Sequence, residues 1–149
     1  MNIKEELYKQ CVAYVDERLK TIESIISSNQ KALGSETKSS AGDKHETGRA
    51  MLQLEMEKAG QQLAAIQQMK ETLSKTDISK KSTIASLGAL VETNLGTYFL
   101  SISSGRLIAC DKSFFTISVS SPIGKLLLGK KEGERLFWNG KEIRIQKVI

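Results

Sequence analysis

The chain has 149 residues, of which 40% are hydrophobic and 26% charged, with one proline and a formal net charge of +5. That is the composition of a globular protein, not of a disordered or collagen-like chain. No apolar run nears the ~20 residues of a membrane span, so a soluble, cytoplasmic protein with no membrane partner is expected. Cys11 and Cys110 are too few for a disulfide framework, and a single histidine excludes zinc hydrolase sites that take two or three imidazoles from one chain.

The first half reads as helix. Apolar positions run Tyr8, Val12, Val15, Leu19, Ile22, Ile26, then Asn29 and Leu33, in alternating steps of four and three. A second stripe runs Leu52, Met56, Ala59, Leu63, Ile66, then Lys70 and Leu73. This is the seam of a coiled coil. Each stripe is narrow and wants one partner, and the nearest is the other stripe. The spacing therefore predicts an antiparallel helical hairpin over residues 1–76, with its tip at about 34–47 and helices of ~30 residues, ~45 Å long. The polar stretch 74–81 reads as a linker.

From 77 onward the period changes to short β-branched and aromatic runs divided by turn residues. Runs 87–93 and 97–103 flank Asn94-Leu95-Gly96, runs 106–110 and 113–120 flank Asp111-Lys112, and runs 135–138 and 141–148 flank Asn139-Gly140. One short helix interrupts them. Ser121 caps it, Pro122 occupies its first position, Gly129 follows it, and Ile123, Leu126 and Leu127 give it an apolar face. The fold class is α+β, a coiled-coil hairpin followed by a small α+β domain over 77–149. Residues 1–76 carry 11 basic and 11 acidic side chains and residues 77–149 carry 11 and 6, so the whole positive excess lies in the second part.

Chemistry concentrates at the tip, which reads Gly42-Asp43-Lys44-His45-Glu46 and, further on, Arg49. Asp followed three residues later by Glu, ahead of a helical stripe, resembles a capping box and suits the helix dipole. The same two carboxylates form a hard-oxygen pair for Mg²⁺, an ion that keeps several waters and accepts one or two protein carboxylates when another molecule supplies the rest. Two carboxylates alone bind it weakly, so the catalytic reading requires insertion into a site that already holds metal. Lys44, His45 and Arg49 are candidate tip contacts to phosphate, or salt-bridge partners and solvated side chains. On these residues alone both readings stay open.

The segment from Ile117 to Glu134 contains Ser120-Ser121-Pro122-Ile123-Gly124-Lys125 and Gly129-Lys130-Lys131-Glu132-Gly133. It resembles the signature of the Gre family of bacterial transcript cleavage factors, and Gly42-Asp43-x-x-Glu46 is similar to the family's tip motif. The resemblance implies an FKBP-like second domain that docks on bacterial RNA polymerase, with Ser121, Pro122, Gly124, Lys125, Gly129 and Lys130 as docking candidates. It further implies a tip in the polymerase secondary channel, where Asp43 and Glu46 help hold a Mg²⁺ shared with the polymerase. The nascent RNA 3′ end is then an indirect partner, and no small-molecule substrate is implied. By the same resemblance the chain is expected not to be an enzyme itself but to stimulate the nuclease activity of the polymerase.

Two features depart from the family pattern. The first helix begins almost at once with Ile3-Lys4-Glu5-Glu6, and Lys44-His45 stand between the acids where active factors show an apolar residue and Ser. A non-cleaving channel regulator and a helical-hairpin adaptor without polymerase are therefore the alternatives. Prolyl isomerase chemistry, suggested by an FKBP-like fold, is disfavoured by an aromatic content of 5%, and Phe114, Phe115 and Trp138 are expected as core or strand-face residues.

Overall fold

The chain opens by capping its own first helix. In the computed structural model, which describes residues 2–38 and 43–149, the Asn2 Oδ1 accepts a hydrogen bond from the Lys4 backbone N–H at 2.9 Å. Glu5 and Glu6 stand in the first turn of helix α1 (Ile3–Lys38), where negative charge is favoured by the helix dipole. Helix α2 (Asp43–Lys75) closes with Lys75 in its last turn, paired with Glu71 at 3.1 Å. The Tyr8 hydroxyl donates to the Leu73 carbonyl at 3.0 Å, so the start of α1 lies beside the end of α2 and the two run antiparallel. The expected tip, 34–47, lies partly outside the described residues, as do the side chains of 36–46.

By contacts the chain forms two compact units, Met1–Tyr14 with Lys70–Ile149, and Val15–Met69. The division expected at 76/77 coincides with the end of α2, but the units divide inside both helices, because the first turns of α1 and the last turn of α2 pack with the sheet. Nor is 74–81 a free linker. Thr76 is buried and its Oγ1 donates to the Thr72 carbonyl at 2.8 Å, and the Lys4 Nζ reaches the Lys80 carbonyl at 3.4 Å. The Asp77 carbonyl lies 2.6 Å from where a Cβ on Gly88 would sit, and Gly88 has φ +93°, so the stretch is anchored by a residue that only glycine fits.

In the helical unit the heptad spacing holds. Val15, Ile22, Ala59 and Ile66 are buried, with Leu19, Ile26, Leu33, Leu52, Met56 and Leu63 half-buried between them. One position differs from expectation. Lys70 is exposed while Met69 is half-buried, since a long charged side chain keeps its head in water. Asn29 does sit in the seam, buried, and its Nδ2 has no hydrogen-bond partner among the described residues.

The other unit is a six-stranded sheet in the order β3-β4-β2-β1-β6-β5. Its strands are β1 (Leu90–Thr93), β2 (Gly96–Ser101), β3 (Gly105–Ala109), β4 (Lys112–Ser118), β5 (Arg135–Trp138) and β6 (Lys141–Val148). All three hairpins read from the turn residues form. Asn139 and Gly140 both have positive φ (50° and 76°), the backbone that a two-residue hairpin needs. The second hairpin turns one residue earlier than expected, at Cys110 and Asp111 (φ 52° and 60°), with Ala109 paired to Lys112. The parallel pairing of β2 with β4 and the antiparallel pairing of β1 with β6 close the sheet.

Both faces of the sheet centre are covered. On one, Val91, Leu100, Ile143, Ile145 and Leu136 pack with Leu127 of helix α3 (Pro122–Leu127). On the other, Leu90, Phe99, Ser101, Phe114 and Thr116 are buried, as are Leu7 and Cys11 of α1. The Cys11 thiol lies 3.8 Å from the Ser104 hydroxyl, and Ser101 meets Thr76 at 3.3 Å. Phe114 is thus core, Trp138 packs at its margin, and Phe115 lies on the strand face 5.7 Å from the Tyr98 ring. Leu126 differs from expectation. It is largely exposed, and buried Gly124 takes its place against the sheet.

Two measurements check these packing arguments. Asn29→Leu removes an unpaired buried donor and should stabilise the chain by about 1–2 kcal/mol in urea unfolding; a loss of stability would show that the amide is bonded. Burial pushes the Cys11 thiol up from its ordinary value, against the pull of Ser104 and Thr116. Ionisation therefore opposes folding, and stability should fall as pH rises past the ordinary thiol range. Cys11→Ala should flatten that alkaline limb, while a thiol reagent should modify exposed Cys110 in the native protein and Cys11 only on unfolding.

Candidate functional site

Two segments carry the candidate residues, and they belong to different compact units. The first is the start of α2. The helix begins at Asp43, so Asp43 and Glu46 share its first turn, three residues apart. The side chains of Asp43, Lys44, His45 and Glu46 lie outside the described residues, and Arg49 is exposed. Among the described residues no group of three or more His, Cys, Asp and Glu side chains could hold a metal ion. As a donor set, two carboxylates suit a hard divalent cation that draws its other ligands from elsewhere.

The second segment is α3 with its flanks. Ser121 has extended backbone (φ −68°, ψ 157°), and its Oγ accepts from the Gly124 N–H at 3.1 Å while donating to the Ser118 carbonyl at 2.6 Å. Pro122 follows at the first helical position, where its missing N–H costs nothing. At Gly124 the helix presses onto the preceding strand, and a Cβ there would lie 1.9 Å from the Ser118 carbonyl oxygen. Gly129, with φ +85°, turns the chain so that its N–H donates to the Ala85 carbonyl at 2.7 Å. The Lys130 carbonyl returns the bond by accepting from the Ala85 N–H at 2.8 Å. Ser121, Pro122, Gly124 and Gly129 therefore hold one backbone turn against the sheet.

The two lysines differ from these four. Lys125 is exposed on the helix, and the half-buried Lys130 carries its ammonium 3.9 Å from a Glu134 oxygen. A surface ion pair at that distance is worth little, so both cations are available to an anionic partner.

Sequence reasoning did not single out Met51 and Leu54 of α2, which are 60% and 66% exposed. They sit between seam positions, and an apolar residue beside a heptad stripe is hard to separate from the stripe itself. Nor did it single out Phe137, the most exposed of the large apolar side chains at 71%, which alternation alone assigns only to the sheet face opposite Leu136. Among the described residues no helix is long and apolar enough to cross a membrane.

Comparison with protein-family models, with curated proteins and with solved structures finds no match.

The close contact at α3 yields a direct test. Gly124→Ala should destabilise the chain by about 2–4 kcal/mol in urea unfolding, because the added methyl meets backbone that cannot withdraw. A loss below about 0.5 kcal/mol would mean that α3 lifts from β4 without cost.

Proposed function

We propose that the chain is a Gre-like transcription factor that binds bacterial RNA polymerase, inserts its hairpin tip into the secondary channel and stimulates cleavage of backtracked RNA. The observation that carries this reading is the location of the two acids. Asp43 opens a 33-residue helix, Glu46 shares its first turn, and a 36-residue antiparallel helix precedes them in the chain. The helix dipole favours two acids in a first turn, and the same placement leaves them beside the connection between the two long helices. The assignment of the sheet unit as FKBP-like, docked through the α3 segment with Lys125 and Lys130 as contacts, belongs to the same proposal.

The mechanism follows from the donor count. Asp43 and Glu46 would hold a Mg²⁺ supplied by the polymerase and orient its water by accepting hydrogen bonds from it, and the chemistry that ion would supply is activation of the water and clamping of the phosphodiester. They are not nucleophiles and form no bond to RNA. The factor contributes two ligands, and the polymerase contributes the rest of the catalytic centre.

A second reading rests on one residue. Lys44 lies between the acids, and an ammonium there competes with the metal for carboxylate charge. A non-cleaving regulator that occupies the channel is the form of the proposal that this residue favours.

The deciding assay adds purified protein and Mg²⁺ to stalled, backtracked elongation complexes. Release of short 3′ RNA fragments is expected, and Asp43→Ala with Glu46→Ala should lower it by about 100-fold while polymerase binding is kept. Binding without cleavage by the wild type selects the non-cleaving reading, and absence of binding at low salt leaves the adaptor reading. A marked loss of helicity in the double variant would assign the two acids to helix capping.

A further inference from the structure

The outward face of α2 changes character along its length. Met51 and Leu54 are three residues apart and so lie on one side of the helix. Continuing along the same row, Lys58, Gln61 and Gln68 are polar and Ala65 is small. The seam does not need the pair, since its nearby positions are Leu52, Met56 and Ala59. Two large apolar side chains are thus concentrated in the turns that follow Asp43, and the rest of the row is what water alone would select.

The size of this patch limits what can cover it. A methionine and a leucine together present on the order of 300 Å², against the roughly 1,000 Å² that a specific interface needs. A second copy of the chain or a free peptide could not be held by so little. The patch fits a partner whose main contacts lie elsewhere. Resting on the function proposed above, we infer that Met51 and Leu54 dock on an apolar portion of the wall of the polymerase channel that receives the hairpin.

Distance along the helix fits this occupant. At a rise of 1.5 Å per residue, Met51 stands about 12 Å and Leu54 about 17 Å behind Asp43 along the axis. A channel deep enough to bring Asp43 to a catalytic centre also encloses both side chains. Their burial then accompanies full insertion only, so it stabilises the inserted state without placing another charge beside the acids. An apolar contact is also insensitive to salt, unlike any contact made by Lys125 or Lys130.

Binding of the full-length chain to core polymerase, followed by fluorescence anisotropy, tests this. In the variant Met51→Gln with Leu54→Gln both replacements are good helix formers at exposed positions, so helicity should be unchanged by circular dichroism. Affinity should fall about 10- to 30-fold, with the loss persisting at high salt. A wild type that binds and a variant that binds within twofold of it would overturn the inference while sparing the proposed function. A wild type that does not bind polymerase would overturn both. Sedimentation as a dimer by the wild type and as a monomer by the variant would assign the patch to a second copy and equally overturn the inference.

Discussion

Everything in this structure depends on how helix α1 spends its single apolar face. Near its start the buried apolar residues are Leu7 and Cys11, four apart, and farther on they are Val15, Ile22 and Asn29, in steps of seven. The first spacing follows an i, i+4 row, as packing on a sheet surface allows. The second is the heptad row of a two-helix seam. A helix meeting only another helix would keep the heptad from its first turn, and Tyr8 and Val12 would then be the buried positions. Instead they are half-buried while Leu7 and Cys11 are fully enclosed, because the sheet claims the adjoining side. Lys4 shows the same pressure. Burial lowers its pKa from the ordinary lysine value, an effect that Asp77 opposes, and its ammonium finds the Lys80 carbonyl.

The α3 segment shows why a motif is not the same as a site. Six of its positions attract attention in the sequence, yet four are accounted for by one backbone problem. The chain must leave β4, turn within three residues and lay a helix so close to Ser118 that no Cβ fits between. Serine supplies the acceptor for the Gly124 N–H, proline the preset φ, and the two glycines the close approach and the left-handed turn. Once those demands are met, what remains free to recognise another molecule is Lys125 and, after a weak tie to Glu134, Lys130. A charge carried on a rigid turn is worth more to binding than one on a mobile loop, since less freedom is lost on contact.

Local signals made most of the fold legible. Heptad steps, turn residues and a Ser-Pro helix start are short-range, and each reappears as an element within one to three residues of its expected place. What the sequence hid is non-local. Nothing in Tyr98–Ser101 or Phe115–Ser118 announces that these runs pair in parallel, because a parallel ladder leaves no turn between its strands. The anchoring of 74–81 was hidden for the same reason. Thr76 looks like a linker residue until Ser101 arrives opposite it from 25 residues away. At the candidate site the positions of Asp43 and Glu46 on the helix follow from spacing, whereas the exposure of Met51 and Leu54 does not, since periodicity tells which residues recur and not which neighbour is missing.

Separating chemistry from affinity is the physical sense of the proposed function. Two carboxylates on one helical turn bind magnesium too weakly to act alone, and adding a third or fourth would make a site that captures metal in free solution. Keeping the set incomplete confines its effect to a cavity where another protein supplies the missing ligands. Affinity must then reside elsewhere on the chain, and the sequence divides accordingly. Residues 1–76 have no net charge, while the five excess cations fall in 77–149, on a sheet unit whose turns are held by backbone hydrogen bonds. In the proposed function a neutral hairpin would enter a crowded catalytic centre without attracting nucleic acid along its length, and a basic unit would hold an acidic surface without disturbing the metal.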